Sequence, residues 1–309
     1  MPQTLGGIDP GGLEQSRTRR SDSIRFGPSL HGIERAEIYL STCSFEPHRH
    51  DTYAIGITTA GVQTFHYRGS RRICLPGQLH VLHPDEAHDG AAGTDGGFRY
   101  RILYIPPELV RDALSGRELP FVAEPIQQLV PAARLIASLL SDIDEPINEL
   151  SSAEIAVAVA DGLVSLSGHP DRRKAAIDTR AVKLARDYLV AHAREQTSAS
   201  ILEKIAGTDR FTIARHFRWA FGTSPNRYRT LRRLALARAA IESGQSLARA
   251  ASEAGFADQS HMTRQFKRTY GLTPGRWMAL TAASSPETSR GPKRTWRTAP
   301  HSSRALTSN

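Results

Sequence analysis

The stretch Gly255–Trp277, GFADQSHMTRQFKRTYGLTPGRW, repeats a pattern that occurs 49 residues earlier in Phe211–Tyr228, FTIARHFRWAFGTSPNRY. The positions that match at this offset are Arg215 and Arg264, Phe217 and Phe266, Gly222 and Gly271, Pro225 and Pro274, and Tyr228 and Trp277. Matched apolar, glycine and proline positions at one fixed offset indicate that the chain builds the same small structure twice.

Each copy predicts a short helix, a turn and a second amphipathic helix. Asp209 and Asp258 are N-cap residue types, and Gly222 is placed to end a helix. This is the helix-turn-helix pattern, whose second helix lies in the major groove of DNA. Between the copies, Pro225–Glu242 predicts a rod of about 27 Å, which suits two reading helices one DNA turn, ~34 Å, apart. Paired short helices also form ordinary bundles, and periodicity leaves that alternative open.

The net charge of +9 is divided unequally along the 309 residues. Residues 24–167 carry 11 Lys and Arg against 18 Asp and Glu, a net of −7, whereas residues 179–283 carry 18 against 7, a net of +11. A basic C-terminal third indicates a polyanion partner, although a solvated basic face is the alternative.

The sequence predicts two domains with polar ends. Residues 1–23 and 284–309 lack apolar periodicity and are predicted to be disordered, the second as a basic tail, and residues 168–178 are predicted to be a linker. The N-terminus has no apolar leader and the chain has no run of eighteen apolar residues, so a cytoplasmic protein without a membrane partner is expected. Cys43 and Cys74 are expected to be reduced.

Residues 24–167 predict a β-rich domain followed by helices. Alternating β-branched and aromatic residues between Glu34 and Ile105 predict six or more short strands in a sandwich or small barrel. From Pro131 to Ser167 the spacing becomes helical, with Leu135, Leu139 and Ile143 on one face and Ile155, Val159 and Leu163 on another. These apolar faces are either core or a dimer seam, and the seam is the preferred interpretation.

Residues 179–283 resemble the tandem helix-turn-helix domain of the AraC/XylS family of bacterial transcription regulators, through GFADQSHMTRQFKRTYGLTPGRW and its earlier copy. FEPHRHDTYAIGITTAG and LPGQLHVLHPDEAH resemble, less specifically, the cupin-like effector domain of such regulators. The resemblance implies an α+β two-domain fold: an N-terminal cupin-like β-barrel with following helices, and a C-terminal all-α domain with two helix-turn-helix motifs. One departure is Glu203, where the second motif has the small Ala251.

The repeated motif also predicts which residues contact DNA. The base-reading candidates are Phe211, Ala214, Arg215, Gln259, Ser260, His261 and Arg264. An arginine can bond guanine O6 and N7 together, and a glutamine can bond an adenine edge. The phosphate-contacting candidates are Arg227, Arg229, Arg232, Arg233, Arg238, Lys267 and Arg268. Solvated helix surface is the alternative role for these residues.

The barrel is rich in histidine. Seven of the twelve histidines lie between His31 and His88, and the effector-pocket candidates are His48, Arg49, His50, Tyr53, His80 and His88. These side chains favour an anionic or hydrogen-bonding ligand. The spacing of His48, His50 and His80 follows that of metal-binding cupins, but the glutamate expected after the His-x-His pair is missing. A metal-free pocket, as in the family, is therefore predicted.

Two classes of function are compatible with these sequence features. The leading hypothesis is a DNA-binding transcription regulator that senses a small molecule, forms a homodimer and acts on double-stranded DNA, with RNA polymerase as a further candidate partner. The alternative is a cupin-type metalloenzyme with an accessory nucleic-acid-binding domain. The sequence has no phosphate-cradling glycine loop, supported catalytic triad or cysteine metal cluster, so neither a cofactor nor an enzyme is predicted.

Overall fold

The computed structural model describes residues 21–168 and 178–283. Ten strands form the first half: β1 (Ser23–Phe26), β2 (Glu34–Leu40), β3 (Phe45–His48), β4 (Tyr53–Gly61), β5 (Gln63–Tyr67), β6 (Ser70–Cys74), β7 (Leu79–Leu82), β8 (His88–Ala92), β9 (Phe98–Ile105) and β10 (Ile126–Gln127). Three helices belong to the same domain: α1 (Pro107–Ala113), α2 (Pro131–Ser138) and α3 (Glu149–Ser167). The seven C-terminal helices are α4 (Thr179–Ala191), α5 (Ala199–Ala206), α6 (Arg210–Phe221), α7 (Pro225–Glu242), α8 (Leu247–Glu253), α9 (Gln259–Tyr270) and α10 (Pro274–Ala282).

The strands form two antiparallel sheets, with the orders β1-β2-β9-β4-β7-β10 and β3-β8-β5-β6. Alternate residues of each strand face the space between the sheets, as the period of two requires. Ile38, Phe65, Tyr67 and Phe98 fill part of this space, and each is at most 2% exposed. The predicted α+β architecture, a cupin-like β domain followed by a helical domain, is confirmed.

The outer face of the larger sheet is covered by α1, α2 and α3. Ile155, Val159 and Leu163 of α3 are at most 6% exposed and join a second core with residues of β4, β7 and β9. The apolar face interpreted as a dimer seam is therefore core, because the sheet has an apolar outer face that needs cover. The predicted common face of Leu135, Leu139 and Ile143 is not formed, because α2 ends at Ser138; Leu135 is 46% exposed, whereas Ile143 is 1% exposed.

Helix α3 is long and apolar enough to cross a membrane by length and composition, with a mean hydropathy of 1.4. Its position against the sheet gives another reason for that composition, because it buries one side in the second core. Gly162 lies against Ile136 of α2, where an added Cβ would come within 2.6 Å of the isoleucine side chain. Helix α3 is thus packed closely as a core helix of the β domain.

The helical domain contains the two predicted motifs. Helices α5 and α6 form the first, and α8 and α9 form the second. Asp209 accepts hydrogen bonds from the first-turn N–H groups of α6, and Asp258 accepts one from α9. Gly222 and Gly271 end these helices with φ near +70°, a conformation that costs glycine little. The capping pattern found in the sequence therefore sets both reading helices.

Glu203, the departure from the second motif, lies at the first helix pair. Its carboxylate accepts hydrogen bonds from the backbone N–H and guanidinium of Arg210, at 3.0 and 2.8 Å. The equivalent Ala251 is 1% exposed and packs against apolar neighbours. The two motifs thus join their helices by different means, an ion pair in the first and close apolar packing in the second.

The predicted N-terminal disorder ends earlier than residue 23. Asp22 is 7% exposed, and its carboxylate accepts hydrogen bonds from the backbone N–H groups of Ser41, Thr42 and Cys43. These bonds and the neighbouring hydroxyls lower the pKa of Asp22 far below its usual value, against the effect of burial. The other predictions of disorder, and most of the predicted linker, concern residues 1–20, 169–177 and 284–309, which lie outside the described residues.

Candidate functional site

A cavity of about 190 Å³, partly open to solvent, lies between the two domains. Apolar side chains from both sheets, among them Phe65 and Ile102, form its inner wall. Helices α7, α9 and α10 form the opposite wall with Arg232, Arg238, Tyr270 and Trp277 among other residues. A cavity with one wall from each domain can connect its occupant to the relative position of the two domains.

Four of the predicted pocket residues line this cavity: His48, His50, His80 and His88. Burial lowers the pKa of all four, to about 3 for His80 and about 4 for His88. Mutual repulsion lowers the pKa of His48 and His50 further, because each lies near His88. The cavity therefore presents neutral imidazoles, which can accept hydrogen bonds or bind a metal ion.

The histidines that meet differ from those that the spacing suggested. One ring nitrogen of each of His48, His50 and His88 lies within 4.8 Å of the others, and His80 is outside this group. His80 instead packs beside Phe65 and Tyr100, with ring centroids 5.7 and 5.9 Å away. Because β3 pairs with β8, His48 faces His88 across the smaller sheet.

Two predicted pocket residues lie elsewhere. Tyr53 is 1% exposed in the second core, and its hydroxyl donates to the carbonyl of Pro120 at 3.1 Å. It faces away from the cavity because side chains alternate along β4, where Ala54 lines the cavity. Arg49 is exposed, and its backbone, rather than its guanidinium, contacts the helical domain. Their assignment to the pocket is corrected accordingly.

Strand β3 docks directly on the end of reading helix α9. The N–H of Glu46 donates to the carbonyl of Gly271, and the N–H of Arg49 donates to the carbonyl of Arg268, both at 3.0 Å. Lys267 Nζ lies 2.7 Å from Glu46 Oε2. The unpaired carbonyls of a helix C-terminus are thereby satisfied by the barrel, which couples the second motif to the effector domain.

Two further ion pairs join the domains at the cavity. Arg232 donates to Asp51 at 2.7 Å, and Arg238 binds Glu34. The Arg238 guanidinium also lies within 5.9 Å of the ring centroids of Phe26, Tyr270 and Trp277. The sequence analysis did not predict these ion pairs. The net negative charge of the first domain and the net positive charge of the second were the signal that could have indicated them.

The base-reading candidates lie on helices whose N-terminal ends are exposed. Phe211 is 73% exposed, and Ala214 and Arg215 are exposed on the same helix. Gln259, Ser260 and Arg264 are exposed on α9. His261 is half-buried, with its ring 5.5 Å from that of Phe256. Six of the seven candidates are thus accessible to a macromolecule.

Several phosphate candidates have partners within the protein. Arg233 is 7% exposed and donates to the carbonyls of Ala193, Arg194 and Glu195. Its guanidinium binds the backbone that follows α4. The prediction that Arg233 contacts phosphate is therefore corrected: the side chain holds α7 to the segment after α4. Arg232 and Arg238 are engaged by the barrel as described above. They are held in the interdomain interface because each meets an acidic partner there.

The four remaining phosphate candidates differ in how far they are engaged by the protein itself. Arg227 donates to the Arg49 carbonyl and to Thr269, and Arg229 donates to Glu195 and Asn226. Lys267 pairs with Glu46 on an accessible edge. Arg268 is exposed, and its guanidinium has no acceptor among residues 21–168 and 178–283. It is the candidate most available to a phosphate.

Comparison with known proteins agrees with this architecture. Residues 30–159 match the AraC-like ligand-binding domain, and residues 202–279 match a helix-turn-helix domain. The chain is 26% identical over 259 residues, 80% of this chain and 90% of the other, to YbfI of Bacillus subtilis strain 168, described as an uncharacterized HTH-type transcriptional regulator. The chain belongs to the AraC family of transcription regulators. It combines a DNA-binding domain with a domain for a regulating effector.

Solved structures show the same two-domain fold. ToxT from Vibrio cholerae superposes with a TM-score of 0.59 at 12% identity, covering 81% of this chain and 99% of ToxT. Other ToxT structures contain an unsaturated fatty acid, with a TM-score of 0.57 at 12% identity, or (E)-4-(8-methylnaphthalen-1-yl)but-3-enoic acid, with 0.56 at 11%. They cover 86% and 84% of this chain, and 97% and 99% of theirs.

Proposed function

We propose that this regulator binds its effector in the interdomain cavity and reads tandem DNA half-sites with α6 and α9. The observation that carries the proposal is the composition of the cavity, whose walls come from the effector domain and from the helices that hold the second reading helix. An effector shifts the balance between arrangements of the domains only if it binds one of them better. A cavity that both domains complete provides this difference in affinity.

The effector class that fits best is an apolar carboxylate. Much of the cavity wall is apolar, while Arg232 and Arg238 supply cationic groups at its edge. Both compounds bound in the ToxT structures are carboxylic acids with apolar bodies. A carboxylate entering here competes with Asp51 and Glu34 for the two arginines, so it loosens or rearranges the contacts between the domains.

The DNA-reading roles follow from exposure and side-chain chemistry. Arg215 on α6 and Arg264 on α9 would bond guanine edges, and Gln259 would bond an adenine edge. The remaining candidates, Phe211, Ala214, Ser260 and His261, would complete the two contact surfaces. Arg268 and Lys267 would contact phosphates and fix the register.

The assembly and the cellular setting are also part of the proposal. We expect a homodimer that works in the cytoplasm, binds promoter DNA and acts on RNA polymerase, without catalysing a reaction. Leu135, Leu150 and Val157 of α2 and α3 are 46%, 70% and 48% exposed and offer an apolar surface for a second copy. This exposed surface, rather than the buried face of Ile155, Val159 and Leu163, is the proposed contact between copies.

In vitro selection of genomic fragments tests the DNA-binding part of the proposal. The full-length chain should enrich one motif with two short blocks about ten base pairs apart, and Arg215→Ala/Arg264→Ala should lose it. Equal enrichment by the double variant would overturn the assigned reading residues.

The effector part is tested separately by thermal unfolding. Oleate should raise or lower the unfolding midpoint, whereas oleyl alcohol, which has the same apolar body without the carboxylate, should have little effect. The shift should shrink in Arg238→Gln. An absence of any shift with oleate and with a panel of shorter aryl carboxylates would refute the carboxylate class, while leaving the DNA-reading assignment standing.

A further inference from the structure

The three clustered histidines share one hydrogen-bonding arrangement. Nδ1 of His48 lies 2.8 Å from the carbonyl oxygen of Glu46, and Nδ1 of His88 lies 3.0 Å from that of Glu86. Nδ1 of His50 lies 2.9 Å from the carbonyl oxygen of Thr52. A carbonyl oxygen only accepts, so each Nδ1 carries the proton and donates it. Each Nε2 is consequently left with a free lone pair.

The three lone pairs have no donor to satisfy them. No hydrogen bond reaches Nε2 of these three rings from residues 21–168 and 178–283. The rings are close together, with centroids 4.3 Å apart for His48 and His88 and 4.8 Å apart for His50 and His88. His50 and His88 are 9% and 5% exposed. Three unpaired acceptors that converge at the wall of the cavity can hold a cation among them.

We infer that His48, His50 and His88 bind a divalent transition-metal ion of the Zn²⁺, Ni²⁺ or Fe²⁺ type through Nε2. Neutral imidazoles whose second nitrogen donates to a carbonyl are the usual metal ligands, because that bond fixes both tautomer and ring orientation. In a tetrahedral zinc site with Zn–N bonds of 2.0–2.1 Å, the nitrogens are about 3.4 Å apart. One ring nitrogen of each histidine now lies within 4.8 Å of the others, so nitrogens at that separation must move inward by up to about 0.8 Å to surround the ion.

The site leaves room for an exogenous ligand. Three protein ligands leave the fourth position of a tetrahedral ion open. All three histidines line the interdomain cavity, so that position is accessible to its occupant. The inference deepens the proposed function, on which it rests for its role: the ion would bind an oxygen donor of the effector, such as its carboxylate, beside Arg232 and Arg238.

Metal binding by the full-length, tag-free chain tests the inference. After chelator treatment and equilibrium dialysis against Zn²⁺, the wild type should retain about one equivalent per chain. His88→Gln should bind Zn²⁺ at least about tenfold more weakly. The matched control is His80→Gln, which removes another buried histidine of the same cavity and should bind like the wild type. Substitution with Co²⁺ should give the visible absorption of a nitrogen-rich site in the wild type and in His80→Gln.

The outcomes separate this inference from the proposed function. Retention of less than about a tenth of an equivalent by the wild type would overturn the metal site, even if the histidine variants fail to fold. Equal loss of affinity in His80→Gln and His88→Gln would overturn the assignment of ligands. Selection of a DNA motif by the metal-free chain would preserve the regulator function in either case, whereas Zn²⁺ binding without DNA selection would leave the metal site and remove the DNA-reading proposal.

Discussion

At the scale of single residues, exposure divides the arginines of the helical domain into different roles. Arg264 is exposed on α9, Arg268 is exposed near the end of that helix, and Arg233 is buried and donates to three carbonyls. The sequence marks all three as basic residues of the same domain. Only their surroundings distinguish a side chain that can bond a base edge from one that holds two helices together.

Replacement of Arg264 with alanine should therefore weaken binding to the selected DNA site by ~1–3 kcal/mol and relax the base preference at one position. Arg268→Ala is the matched control, because a lost phosphate contact should weaken binding to all sequences alike. The slope of the logarithm of the binding constant against the logarithm of the salt concentration should become about one unit less steep. Binding titrations at several salt concentrations measure both quantities. If Arg264→Ala weakened unrelated sequences as much as the selected site, its role in base reading would be excluded.

His83 predicts a pH dependence of stability. It is 6% exposed, burial lowers its pKa from 6.5 to about 4, and its Nε2 accepts the N–H of Val122 at 3.1 Å. The unfolded chain binds this proton near pH 6.5, so it holds more protons than the folded chain between pH 6.5 and about 4. The free energy of unfolding should thus fall as the pH drops through this range, by up to about 3 kcal/mol for this one group.

Denaturant titrations from pH 7 to 4 measure this effect. In His83→Gln, the amide can still accept the Val122 N–H. The slope of the free energy of unfolding against pH should decrease by the amount that corresponds to about one bound proton. An unchanged slope would show that folding does not lower the pKa of His83. The other buried histidines remain in both proteins, so they contribute equally to the comparison.

At the scale of elements, the barrel and the second motif meet where helix α9 ends. Gly271 has φ +70°, and an added Cβ would lie 3.1 Å from the Glu46 carbonyl oxygen and 2.8 Å from His48 Nδ1. Gly207 ends α5 with φ +68° and has nothing within 4 Å of such a Cβ. The two glycines share a backbone conformation but differ in what surrounds them.

Gly207→Ala should therefore cost only the strain of a left-handed alanine, ~1–2 kcal/mol. Gly271→Ala should cost more, because the same strain adds to a clash that pushes β3 away from α9. Thermal unfolding of both variants gives the comparison. Equal shifts of the two midpoints would mean that the contact between β3 and Gly271 contributes nothing to stability.

At the scale of the whole molecule, ion pairs between an acidic barrel and a basic reader hold the domains together. Glu34 and Arg238 are about a fifth exposed, and Arg238 is also surrounded by three aromatic rings. Removing Glu34 leaves Arg238 with the carboxylate of Glu242, 3.5 Å away, as its remaining ionic partner, so the loss should cost up to about 3 kcal/mol. The arrangement of the two domains should thus depend on this pair.

Glu34→Gln should accordingly loosen the docked arrangement and raise the radius of gyration in small-angle scattering. Glu154→Gln, which removes an exposed carboxylate from α3, should leave the radius unchanged. A Glu34→Gln protein with the wild-type scattering curve would show that the other contacts, among them the Arg232–Asp51 pair and the bonds between β3 and α9, hold the domains together without this ion pair.

Elements with local signals could be predicted from the amino-acid sequence alone. Helix caps, closing glycines and the 49-residue repeat depend on a few neighbouring residues, so both helix-turn-helix motifs could be predicted. The β-rich nature of the first domain followed from period-two alternation for the same reason.

Which distant groups meet could not be predicted in this way, because it depends on how the elements pack. Sheet pairing placed His88, rather than His80, beside His48. The alternating direction of side chains along β4 placed Tyr53 in the second core. Docking of the domains placed Arg232 and Arg238 at the cavity instead of on a free surface. Such contacts depend on register and packing over long separations, which the period of a single segment does not specify.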